Sequence, residues 1–124
     1  MDKVIAQFIK KVKKDKDILA VAFFGSYARG EKYNDIDICI FLNPGNYSSL
    51  TLSKKKLEYS SGEKLDVQVF QQLPVYIQER ILKEGKIIYC GDEDALYDLY
   101  FSSIREIESF KPMYEDYLAG VVHG

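Results

Sequence analysis

The run Ile18-Leu19-Ala20-Val21-Ala22-Phe23-Phe24 carries no polar side chain and stops at Gly25. A short apolar run rich in β-favouring residues and closed by glycine predicts a strand buried on both faces. Gly25 allows a sharp turn and lets backbone N–H groups approach a ligand, because no Cβ stands in the way. Ser26 adds a hydroxyl at the same point, and Arg29 adds a fork of donors suited to phosphate oxygens. After the polar connection from Gly30 to Asn34, a second strand is predicted from Asp35, ending near Leu42. Its alternation sets Asp35 and Asp37 on one face and Ile36, Ile38 and Ile40 on the other. Residues two apart on a strand have Cα atoms about 6.5–7 Å apart, so both carboxylates can converge on one or two hard cations.

Composition narrows the function classes. The chain has 124 residues, 47% of them hydrophobic and 29% charged, with a net charge of −2. That predicts one globular domain spanning residues 1–124. The slight acidity argues against general nucleic-acid binding, which needs a basic face. No apolar stretch approaches the roughly 20 residues that span a bilayer, and the N-terminus lacks a signal-peptide core, so a cytoplasmic location is expected. Cys39 and Cys90 show no metal-ligand spacing and read as reduced, buried thiols. With His123 the sole histidine, any catalysis has to run on carboxylates.

Further along the chain, Val4, Ile5, Phe8, Ile9 and Val12 fall at helical spacing over residues 3–14. The lysines opposite them read as a solvated helix face rather than a nucleic-acid patch. A helix is predicted from Tyr47 to Tyr59, with Leu50 and Leu57 one heptad apart, stopped at Ser60-Ser61-Gly62. A strand over Lys64–Phe70 buries Leu65, Val67 and Val69 and turns Asp66 outward. Pro74 opens a helix running to Glu84, and Lys86–Cys90 forms a last strand. Asp92 caps a long helix whose positions Leu96, Tyr100, Ser103, Ile107 and Phe110 step by four and three, continuing through Tyr114, Tyr117 and Val121. That stripe reads equally as core packing or as a partner surface, and Pro112 is expected to kink or break the helix near Lys111. The fold expected is α/β (α+β), a small mixed β-sheet with flanking helices, mainly on one face, and a long C-terminal helix.

The ordered set of Gly25-Ser26, Asp35-Ile36-Asp37 and Asp66, with Ala28-Arg29-Gly30-Glu31 between, resembles the DNA polymerase β-like nucleotidyltransferase superfamily. It is most similar to the minimal nucleotidyltransferase (MNT) branch, and the likeness covers nearly the whole chain. The resemblance implies that Asp35, Asp37 and Asp66 hold Mg²⁺, with Asp66 nearest the incoming hydroxyl. It implies that Gly25 and Ser26 hold the β- and γ-phosphates of ATP or another nucleoside triphosphate, and that Arg29 offsets triphosphate charge. Alone, each of these residues has a plainer reading as a solvated charge, a turn residue or a capping hydroxyl. Together, three strand carboxylates facing one Gly-Ser turn would repel one another without cations.

The absence of an acceptor-holding second domain implies that the acceptor comes from a partner protein or through homo-oligomerisation. The resemblance implies a HEPN toxin as that partner, adenylylated on tyrosine by an MNT antitoxin. Two other functions compete with this one. The protein could be a non-catalytic antitoxin that neutralises by covering its partner, or a nucleotidyltransferase acting on a small molecule of the aminoglycoside type.

Overall fold

The computed structural model describes the backbone of residues 2–60 and 64–123, and side-chain surroundings for residues 3–60 and 64–110. In chain order these form α1 (Asp2–Lys13), β1 (Ile18–Phe24), the short α2 (Gly25–Ala28), β2 (Ile36–Leu42) and α3 (Ser49–Tyr59). There follow β3 (Leu65–Val69), a single 3₁₀ turn (Phe70–Gln72), α4 (Val75–Glu84), β4 (Lys86–Cys90) and α5 (Glu93–His123). The four strands make one mixed sheet in the order β3-β2-β1-β4. β1 runs antiparallel to both β2 and β4, whereas β2 and β3 are parallel. A parallel pair needs a crossover rather than a hairpin, and α3 supplies it.

The mixed α/β architecture agrees with the sequence expectation, but the helices do not favour one face. Phe8 and Val12 of α1 and Leu52 and Tyr59 of α3 pack on Ile36, Ile38, Ile40, Val67 and Val69. On the other face Leu19, Ala22, Cys39 and Phe41 meet Phe70, Ile81 of α4, and Leu96, Leu99 and Tyr100 of α5. Phe41 stacks on Phe70 with ring centroids 4.7 Å apart. β1 has no polar position to leave in water, and the structure accordingly covers both of its sides. Burying side chains of this size stabilises by roughly 1.5–3 kcal/mol each, which is what holds the sheet between its two helical layers.

Two helices depart from expectation. The Leu50–Leu57 pair is 66% and 74% exposed, and Leu52 and Tyr59 are the buried pair instead. Both pairs are spaced by a heptad, and a shift of two residues rotates the buried stripe by roughly 200°. Tyr59 sets the phase: its ring lies 5.5 Å from that of Phe8, and its hydroxyl donates to Asp15 Oδ2 at 2.7 Å. In α5 the helix continues through Pro112 to His123, so the expected break does not occur. Proline's fixed φ is compatible with helix, and its ring nitrogen carries no N–H to donate. Ser103 and Ile107 are buried as that stripe requires, whereas Phe110 is exposed. The side chains of Tyr114, Tyr117 and Val121, and the stop at Ser61-Gly62, lie outside the described residues.

Asp92 caps α5 as expected, accepting from the Ala95 amide at 3.1 Å. Cys39 is buried, Cys90 is partly so, and both are free. No helix is long and apolar enough to cross a membrane among the described residues.

A polar cluster ties the end of α1 to α3. Lys55 Nζ lies 2.7 Å from Asp15 Oδ2 and 3.1 Å from Asp17 Oδ2, with 13% of its side chain exposed. Burial alone would push the Asp15 carboxyl up, but hydrogen bonds from Lys55, Tyr59 and the Asp17 amide outweigh it and hold the group below its ordinary range. A lowered carboxyl contributes stability that is present above the unfolded-state pKa and is lost as pH falls through the folded one. Asp15→Asn is therefore expected to cost about 1–2 kcal/mol in urea unfolding at pH 7. The difference from wild type should close as pH falls below the ordinary value of 3.8.

Candidate active site

β1 delivers Gly25 to the end of the sheet, and β2 delivers Asp37 to the same place, because Phe24 and Asp37 are register partners. Gly25 has φ +72°, in the left-handed region that side chains with a Cβ avoid. A Cβ built there would stand 2.3 Å from Asp37 Oδ2. Glycine is thus required twice over at this position, for the turn and for the closeness of the carboxylate. The turn leads into α2, which carries Ser26, and the Ser26 carbonyl accepts from the Glu31 amide at 2.9 Å.

On its other side Asp37 has Asp66 as its register partner across the parallel pair with β3. Neighbouring strands lie about 4.8 Å apart, which puts two acidic side chains of the same face within direct reach. Burial pushes the Asp37 carboxyl up, and the negative charge of Asp66 pushes it further. A hydrogen bond to Asp66 and the charge of Asp35 add to the rise, while Arg29 opposes it. A half-buried carboxyl beside two others, with one cation nearby, suits a positive ligand.

Asp35 stands one residue before β2 begins and is exposed, so it flanks the pair without closing on it. Arg29 ends α2 and is held by two carboxylates, Nε to Glu31 Oε2 at 3.1 Å and Nη1 to Glu84 Oε2 at 3.2 Å. Its side chain remains 38% exposed. Gly25, Ser26, Asp37 and Asp66 are thereby gathered at one end of the sheet, with Asp35 and Arg29 at the margin.

The donors are carboxylate oxygens only, the ligand type that hard divalent cations choose and that softer metals do not. Among the described residues no group of three or more His, Cys, Asp or Glu is placed so that it could hold a metal ion. An open pair with a third carboxylate at its rim fits Mg²⁺, which takes one or two carboxylates and fills its remaining positions with water and substrate phosphate.

Two features of the site were missed in the sequence. Gln68 Nε2 donates to Asp66 Oδ1 at 3.2 Å, a contact that strand alternation could have suggested, since the two residues share a face of β3. The Glu84 partner of Arg29 sits on α4, far along the chain, and no local pattern announces it.

Comparison with known proteins places the chain in a family. The polymerase beta nucleotidyltransferase family model matches residues 6–94. A putative protein adenylyltransferase of Methanocaldococcus jannaschii is 36% identical over 92 residues, covering 73% of this chain and 69% of the relative. A second one from the same organism is 43% identical over 53 residues, covering 40% of this chain and 53% of that relative. Among solved structures, a chain from tri-AMPylated Shewanella oneidensis HEPN toxin in complex with MNT antitoxin superposes with TM-score 0.67 at 15% identity, covering 98% of this chain and 99% of that one. A chain from a toxin-antitoxin structure with AMP-PNP gives 0.68 at 17% identity, covering 94% and 97%. At such identities the superpositions speak for the fold. The protein belongs to the polymerase beta nucleotidyltransferase family.

Proposed function

We propose that this protein transfers AMP from ATP to a tyrosine hydroxyl of a partner protein, a HEPN-type toxin, and thereby acts as its antitoxin. The observation that carries the reading is the Gly25 backbone set against Asp37, with Asp66 on the next strand. The family relatives named as putative protein adenylyltransferases support the type of acceptor. The relation of similar folds to a HEPN toxin supports the partner. Within this reading residues 1–124 work as one minimal cytoplasmic domain.

Asp37, Asp66 and Asp35 would hold Mg²⁺, which when bound neutralises triphosphate charge and orients it for in-line displacement. The Gly25 amide and Ser26 hydroxyl take the β- and γ-phosphate oxygens, while Arg29 offsets charge at the margin. Asp66 accepts the proton of the tyrosine hydroxyl as its oxygen bonds to the α-phosphorus. The bond from that phosphorus to pyrophosphate breaks, and pyrophosphate leaves with its electron pair. Every part of this scheme that concerns the chain is held on strands or on the turn between them, which suits a reaction governed by positioning.

Intact-mass spectrometry of the partner protein incubated with ATP, Mg²⁺ and this protein tests the proposal. One or more AMP units should appear on the partner, and chelation of Mg²⁺ should prevent them. A stable complex without any adduct would favour the alternative of a non-catalytic antitoxin. That alternative draws on the exposed apolar residues of α5, among them Tyr97 and Phe101. A small-molecule acceptor would be the reading left if AMP appeared only on an added aminoglycoside.

A further inference from the structure

We propose that the groove at the β3 edge is where the protein acceptor docks, as an extended acidic segment that sets its hydroxyl beside Asp66. This inference rests on the transfer reading above and adds the direction of approach and the chemistry of the segment.

β3 is the terminal strand of the sheet, with no strand beyond it among the described residues. A groove of about 530 Å³ follows it, lined by Ser53, Lys56, Leu57, Gln68, Gln72 and Leu73. Gln68 belongs both to this groove and to the site, through its hydrogen bond to Asp66. Gln68 therefore links one wall of the groove to the Asp66 carboxylate. Leu57 is 74% exposed on its α3 wall, a large apolar side chain left without cover. Lys56 lines the groove and gives it positive charge in a chain whose net charge is −2. A segment with apolar side chains for Leu57 and Leu73 and a carboxylate for Lys56 is complementary to that surface.

Two other cavities are badly placed for the same task. The groove lined by Ile87, Leu96, Tyr97 and Tyr100 follows β4, at the far edge of the sheet. Three strand spacings, about 14 Å, separate that edge from β3. The cavity at Gly45, Tyr47 and Gln71 adjoins the opposite end of β2 from Asp37.

Two synthetic peptides, Glu-Leu-Tyr-Leu-Glu and Lys-Leu-Tyr-Leu-Lys, test the inference in competition, with ATP and Mg²⁺ and AMP incorporation read by mass spectrometry. The acidic peptide should be labelled about tenfold faster, and Lys56→Glu should remove or reverse that preference. Leu57→Glu should raise KM for the acidic peptide roughly tenfold while leaving ATP binding and kcat in place, because the side chain is exposed and off the reacting centre. Absence of a preference for the acidic peptide, or a preference unchanged by Lys56→Glu, overturns the docking inference. If the same protein still labels its partner, only the docking inference has fallen. If it binds ATP yet labels neither peptide nor partner, the transfer reading falls with it.

Discussion

Asp37→Asn is expected to abolish AMP transfer and at the same time to make the protein harder to unfold. On activity, Asp37 lies between the Gly25 turn and Asp66, so its loss removes charge from the centre of the donor set. A preorganised electrostatic group at a reacting centre is worth roughly 10³-fold in rate, and steady-state AMP transfer should fall by at least that. On stability, burial and the neighbouring charge of Asp66 raise the Asp37 carboxyl. A carboxyl raised in the folded protein favours folding most when protonated, and that contribution is lost as pH rises through the folded pKa. The amide removes the repulsion at every pH. After solvent screening the gain should be of the order of 1 kcal/mol at pH 7, shrinking to nothing toward about pH 3. Thermal melts across that range, without metal, read it directly. A variant both inactive and less stable at pH 7 would mean that Asp37 is a structural carboxylate rather than one strained for function.

Gly25→Ala carries the second large effect, by a different route. An alanine at φ +72° pays about 1–2 kcal/mol for the left-handed conformation, which sets the scale of the stability loss. Its methyl group would also stand 2.3 Å from Asp37 Oδ2, and since the carboxylate is the movable partner, it is Asp37 that must rotate away. Transfer should therefore drop by roughly 10²-fold, more than the stability loss alone accounts for. Because the damage passes through Asp37, Gly25→Ala should add little in an Asp37→Asn background. Additive losses in the double mutant would break the link between the two residues.

Much of the site is legible in the sequence because its parts are local. Gly25 closes an apolar strand, and Asp37 and Asp66 alternate with buried aliphatic residues on strands of their own. What the sequence conceals is set by contacts between distant segments. Leu50/Leu57 and Leu52/Tyr59 offer the same heptad, and only the Asp15 and Phe8 contacts of Tyr59 decide between them. Arg29 is read by residue type as a phosphate ligand, yet its guanidinium is already bracketed by Glu31 and Glu84. Cover on both sheet faces was implied by the unbroken apolar run of β1, a stronger signal than the expectation of helices mainly on one face. Pro112 misleads in the other direction, since helix-breaking is a local tendency that the helix around it overrides.

The parallel pairing of β2 with β3 has a consequence for how the protein matures. Asp37 and Asp66 become neighbours only after the chain has wrapped α3 across the sheet, a non-local closure that costs loop entropy before it returns any contact. β1 and β2 are separated by far less chain and can pair earlier. During synthesis the Gly25 turn would thus exist before Asp66 has joined it, so a half-emerged chain can present Gly25 and Asp37 but not Asp66. β3 is also one of the two border strands of the sheet. Any loosening of that border would switch off chemistry first and leave the rest of the domain folded.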